Sequence, residues 1–203
     1  EVLLNNSVSL LEFKFANAIQ KLQQTRKSVL AFTSGHGELV DIQTKDLVVS
    51  LRQYYDVGRF NFDSAYQIPP QVDLLFVAKP RGPFSERDKF MIDQYVMNGG
   101  KVIWLIDKMN TTLDSIPPGG FYVPTEYQLN IDDLLFKYGV RIGPSLTLDL
   151  QCSSIPQVVG SQGGNPQIDL FPWYYHPVIT PTIDHPIVKG LDNVNLFFPG
   201  KIE

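Results

Sequence analysis

The chain has 203 residues, 43% of them hydrophobic and 12% aromatic, ample for a packed core in one domain or two small ones. Its 17 basic and 21 acidic side chains leave a net charge of −4, and neither sign gathers into the basic stripe that a nucleic-acid surface wants. The single cysteine, Cys152, excludes an internal disulfide and a cysteine-rich metal site, but does not identify a compartment.

The amino terminus, Glu1-Val2-Leu3-Leu4-Asn5-Asn6, has neither the basic start nor the small-residue cleavage site of a signal peptide. Leu11, Phe15, Ala18, Ile19 and Leu22, at i, i+4, i+7, i+8 and i+11, predict a helix over about residues 8 to 25 with one apolar stripe toward a core. Ser28 to Thr33 is short, apolar and almost uncharged, as in a strand covered on both faces. Leu47, Val48, Leu51, Tyr54 and Tyr55 repeat helical spacing, with Thr44 available as a cap, and Val57 to Phe62 reads as the next strand.

The unit then repeats. Val72 to Val77 is strand-like, Pro80 to Pro83 makes a break, and Ser85 caps a helix carrying Met91, Ile92, Tyr95 and Val96 on one side. Asn98-Gly99-Gly100 stops that helix, and Lys101 to Ile106 reads as a further buried strand ending at Asp107. Asn130 caps a short helix with Ile131, Leu134, Leu135 and Tyr138 inward, stopped by Gly139. Alternating elements of these lengths predict an α/β fold with a three-layer, mostly parallel sheet, its core at about residues 8 to 142.

From about residue 142 helical periodicity gives way to strand-like runs at Leu146 to Leu150, Ile155 to Gly160 and Ile168 to Trp173, with a turn-forming cluster at Ser161 to Pro166 and a last strand near Asn193 to Phe198. The expectation is one α/β domain over residues 1 to 203, in which a β-rich C-terminal extension, about 143 to 203, adds a hairpin to the same sheet. No apolar run approaches the roughly 20 residues that span a bilayer. The abrupt end at Gly200-Lys201-Ile202-Glu203 reads as that of a soluble fragment of something longer.

In a parallel sheet, ligands sit beyond the carboxyl ends of the strands, near the reversal of strand order. That rule selects Ser34 to Glu38, Lys79 to Phe84 and Asp107 to Thr112. Gly35 and Gly37 permit positive φ and close backbone approach, and the helix that follows turns free N–H groups to the same mouth. The loop then either binds an anion or carboxylate, or is a tight strand-to-helix turn in which His36 and Glu38 are ordinary polar residues. Phosphate-loop and dinucleotide motifs fail on spacing: there is no G-x-x-x-x-G-K-[ST], and Val40 stands where a third glycine would be needed. The three histidines, His36, His176 and His185, are scattered without metal-ligand spacing, so no metal and no cofactor is expected. Pro177 and Pro186 bias His176 and His185 toward extended, loop-shaping backbone.

The layout resembles the flavodoxin-like and class I glutamine amidotransferase-like α/β fold, whose active members carry a cysteine at a tight elbow after the strand that follows a G-G-K-like stop. Gly99-Gly100-Lys101 and the run to Ile106 reproduce the approach, but Asp107-Lys108-Met109 stand at the elbow. Cys152 lies well past it and reads as a buried packing residue. An activated nucleophile needs an adjacent base, and no serine or cysteine has a motif that supplies one, so the reading is not an enzyme.

Several blocks in order, Ser34-Gly35-His36-Gly37-Glu38, Pro80 to Ser85 leading to Tyr95 through Gly100, Leu134 to Ile142, and His185-Pro186-Ile187-Val188, resemble the gliding-motility-associated ABC-transporter auxiliary proteins of the GldG type and their wider family of uncharacterised ABC-type transport components. The resemblance runs from about Leu11 to Phe198. It implies an extracytoplasmic domain on the periplasmic side of the inner membrane in bacteria of the Bacteroidetes type, anchored by segments outside this fragment and working with ATPase and permease subunits. The family is in places described as a substrate-binding component, and a related domain serves protein assembly in an intraflagellar-transport subunit. No catalytic residues carry over from it.

The expected function is therefore non-catalytic binding of a partner protein or small ligand. Gly35, His36, Gly37, Glu38, Lys79, Asp107 and His185 are the ligand or partner candidates. Trp173, Tyr174 and Tyr175, in the run Phe171 to Tyr175, are either a partner surface or a cap on the sheet. The alternative is a sugar-binding protein or hydrolase of the trehalose-utilisation type, with His36, Glu38, Asp107 and His185 around one pocket and Glu38 or Asp107 as general base.

Overall fold

The computed structural model of the chain describes residues 8–23, 26–116, 121–181 and 185–203; the expected N-terminal features at residues 1–7 and the end of the first helix at 24 and 25 lie outside them. Contacts divide the chain into two compact units, residues 1–80 with 84–106, and residues 81–83 with 107–203.

The first unit runs α1 (Val8–Gln23), β1 (Val29–Ser34), α2 (Asp41–Leu51), β2 (Asp56–Asn61), a 3-10 turn (Phe62–Ser64), β3 (Leu74–Ala78), α3 (Glu86–Met97) and β4 (Lys101–Leu105). All four strands are parallel, in the order β2-β1-β3-β4, with Ala31 level with Gly58 and Leu75, and Phe76 level with Ile103. On one face Leu30, Phe32, Phe76 and Ala78 form a buried cluster, Phe32 and Phe76 stacked at 4.9 Å, against which Leu39, Val48, Leu51 and Tyr55 pack. Ala31, Leu75 and Val77 are equally buried, so the two central strands are covered on both faces, as their unbroken apolar runs require.

Three expectations change here. The stripe of α1 does not enter a core: Leu11, Phe15, Ile19 and Leu22 are exposed, and α1 meets the rest of its unit through Asn17, which donates to the Tyr54 hydroxyl at 2.6 Å, and Lys21, which sits over the Tyr54 ring. Thr44 does not cap α2. The helix begins a turn earlier, Gln43 Oε1 accepts the Val40 N–H at 3.1 Å, and Thr44 is buried in the first turn. The β4 strand is half-exposed rather than buried, because it is the sheet's edge.

The second unit contains β5 (Met109–Asn110), β6 (Thr125–Glu126), α4 (Asp132–Lys137), β7 (Cys152–Gln162), β8 (Asn165–Ile179) and β9 (Val194–Asn195). Ile131, Leu134 and Leu135 are buried as expected, but Ile131 occupies the N-cap; Asn130, expected there, precedes it at a φ of 52°. Residues 146 to 150 form no strand, and the hairpin does not extend the parallel sheet: β7, β8 and β9 make an antiparallel sheet of their own. The chain end is tied in by an antiparallel bridge from Ile142 to Ile202. Among the described residues no helix is long and apolar enough to cross a membrane.

Candidate functional site

The reversal of strand order falls between β1 and β3, and the loops leaving these two strands at their carboxyl ends are residues 35–40 and 79–85. Gly35 and Gly37 take φ of 126° and 73°, a region in which a β-carbon is strained, so both glycines are backbone requirements of the turn. The turn folds Glu38 back on His36: Oε2 accepts the His36 backbone N–H at 2.7 Å, and Oε1 lies 3.4 Å from Nδ1.

The other ring nitrogen faces α3. Asp88 Oδ2 is 3.2 Å from His36 Nε2, and the same oxygen accepts from the Ser85 hydroxyl at 2.6 Å and the Ser85 N–H at 3.3 Å, closing a capping box at the start of the helix. Phe84 stacks on the imidazole at 3.8 Å and Phe62 meets it edge-on at 5.0 Å, both shut off from solvent. His36, Glu38 and Asp88 are themselves only 6%, 8% and 8% exposed.

Burial would push the His36 pKa down, but hydrogen bonds and charge from Glu38 and Asp88 outweigh it and raise the value. Burial likewise works against ionisation of Glu38, which the His36 hydrogen bond and backbone N–H groups nonetheless hold below the usual carboxylate range. For Asp88 the opposing contributions after burial are the Ser85 hydroxyl and then His36, and its value is also lowered. The state favoured is an imidazolium between two carboxylates, and the N-terminus of α3 supports the surplus negative charge. In the protonated state that the shift favours, both ring nitrogens donate and His36 offers no lone pair to a metal or a substrate proton. Among the described residues no group of three or more His, Cys, Asp or Glu side chains is placed to hold a metal ion.

Of the expected site residues, the structure thus brings His36 and Glu38 together. Lys79 follows β3 at a φ of 53°, its N–H bonded to Leu105 O at 2.7 Å. Asp107 and His185 belong to the second unit, where the exposed His185 ring accepts the Ile187 N–H and shapes a local turn. His176 is not in a loop: it is a buried residue of β8, edge-on to Phe197 and Phe198. Tyr174 is 49% exposed, Trp173 and Tyr175 are half-buried, and Cys152 is half-buried rather than fully packed. Sequence reasoning passed over Asp88 and Phe62, and reached Phe84 only as the end of the loop from Lys79. Ser85-x-x-Asp88 was open to reading as a capping box, but not its bond to His36, 52 residues away.

The sequence family described as ABC-type uncharacterized transport system matches residues 27–203. No curated protein matches the chain. Among solved structures it is similar to the mmIFT52 N-terminal domain, at 14% identity and a TM-score of 0.58 over 86% of this chain and 68% of that one, which is a likeness of fold.

Proposed function

The chain belongs to the ABC-type uncharacterized transport system family, auxiliary components of such systems, and from that premise we infer that it works without catalysis, by binding another protein of the system. The observation that carries this reading is the filling of the sheet's switch point. Where an open α/β sheet ordinarily receives a ligand, Phe84 covers His36, and the polar groups of His36, Glu38 and Asp88 are spent on one another. A transport role exercised through exposed surface fits that arrangement better than turnover in a pocket there.

The finer reading follows the sequence resemblance: an extracytoplasmic domain of a membrane-anchored protein, on the periplasmic side, associated with a permease and an ATPase and serving gliding motility. The test is purification of the tagged full-length protein from its own membranes in mild detergent. Recovery of the permease and ATPase subunits is the expected result. Their absence, with a soluble enzymatic activity in the purified protein, would overturn the reading.

A further inference from the structure

The β7 and β8 strands pair in a continuous register from Ser154 opposite Pro172, through Ile155 with Phe171, Pro156 with Leu170 and Gln157 with Asp169, to Val158 opposite Ile168. Opposed residues share a face and successive residues along a strand do not, so Pro156, Val158, Ile168, Leu170 and Pro172 line one face of this ribbon. All five are exposed, Val158 at 67%, Ile168 at 57% and Leu170 at 71%. The opposite face carries Gln157 and Asp169 toward the turn and, toward the base, Ile155, which is buried, and Phe171, which is exposed. Among the described residues β9 pairs with β8 at Val178 and Ile179, so this part of the hairpin is two-stranded, and the exposure of its apolar side chains shows that face uncovered. A contiguous apolar face of this kind marks an interaction surface.

We propose that this face docks on an uncharged, apolar groove of another protein component of the transport system. The inference rests on the reading above and names the surface that serves it. Charge argues for the occupant. From Cys152 to Ile179 the sequence has one charged residue, Asp169, on the other face, and no lysine or arginine occurs between Arg141 and Lys189. An anionic lipid surface therefore meets no cation, and a charged partner would lose hydration without gaining a counter-charge. Strand addition is disfavoured as well. Pro156 and Pro172 fall in pairs that cannot exchange ladder hydrogen bonds, where an ordinary residue would turn its N–H outward, so each edge lacks a donor. A second copy meeting face to face engages five apolar side chains a side, against the roughly 20–30 residues of a stable interface. A groove embraces more of a narrow ribbon than a flat surface does.

The experiment uses the full-length protein co-expressed with the permease and ATPase subunits of its own system, comparing Val158→Glu and Leu170→Lys with Gln157→Lys and Asp169→Lys on the opposite face. All four positions are exposed, so the substitutions leave the fold standing, which circular dichroism checks. The expected result is a drop of roughly tenfold or more in subunit recovery for the first pair and little change for the second, since a charge buried against apolar surface goes unpaired. A photo-crosslinking residue at Val158 then captures a subunit of the transporter. Equal recovery by all four variants overturns the ribbon while leaving the auxiliary role intact, and a wild type that recovers no subunit overturns both. Crosslinks only between copies of the chain, or binding to neutral phosphatidylcholine vesicles, would assign the face to another occupant and overturn it too.

Discussion

Replacing His36 by alanine takes the imidazolium from between Glu38 and Asp88, whose side chains are 2% and 11% exposed, and uncovers the Phe84 ring stacked on it. Breaking a buried ion pair from one side costs about 3–5 kcal/mol. The lower end is expected, because Glu38 keeps the backbone N–H of residue 36 and Asp88 keeps Ser85 and the start of α3. The sign with pH follows from the shifts. His36 is raised in the fold, so its contribution is complete below its ordinary value of 6.5 and is lost as pH rises through the raised one. Glu38 and Asp88 are lowered, so theirs is present above their ordinary values of 4.5 and 3.8 and is lost as pH falls through the lowered ones. The gap between wild type and variant is therefore widest between those ordinary values, 4.5 and 6.5, and closes toward alkaline pH. Urea unfolding in a Trp173→Phe background leaves Trp104, whose ring meets Phe84 at 6.3 Å, as the reporter. A loss below about 1 kcal/mol, the size of one ordinary hydrogen bond, or a gap that widens above neutrality would refute the ion-cluster account.

Three further outcomes are expected. A β-carbon at Gly100 would lie 2.4 Å from the ring of Tyr95, which is buried and donates to Val72 O, so Gly100→Ala destabilises the first unit by about 1–3 kcal/mol in the same urea assay. Ser85→Ala removes the α3 cap at a cost of about 1 kcal/mol, and the loss combines non-additively with His36→Ala in a double-mutant cycle because both act on Asp88. Burial lowers the His176 pKa, so the neutral ring's contribution is whole above 6.5 and falls with pH below it, by at most about 1.4 kcal/mol per pH unit. Thermal melts of His176→Phe against wild type at pH 7.5 and 5.5 check this by the loss of that acid sensitivity.

What the sequence made legible is local. The Ser85 cap and the Asn98-Gly99-Gly100 stop bound α3 closely, the uncharged run at residues 28–33 announces a strand buried on both faces, and the run at 72–77 reads as a strand. What it hid depends on distant neighbours. The run from Lys101 to Ile106 reads alike at the centre or the edge of a sheet, and only pairing makes β4 an edge. The spacing of Leu11, Phe15, Ile19 and Leu22 specifies a helix with an apolar stripe, not what covers the stripe. The hairpin's strands were readable, but their sheet was not, since strand runs do not encode which edge they join. At the candidate site, the glycine turn was foreseen from Gly35 and Gly37, whereas the union of His36 with Asp88 joins two local motifs through folding alone.

The single oxygen Asp88 Oδ2, shared by Ser85 and His36, also sets how this corner of the protein breathes. Any fluctuation that frays the first turn of α3 withdraws the carboxylate from the imidazole, and any excursion of the β1–α2 loop withdraws the imidazole from the cap. Two segments far apart in sequence therefore open as one cooperative unit. In deuterium exchange the amide of His36, bound to Glu38, and the amide of Asp88, bound to the Ser85 hydroxyl, are expected to share one protection factor and to lose it together when Ser85 is replaced.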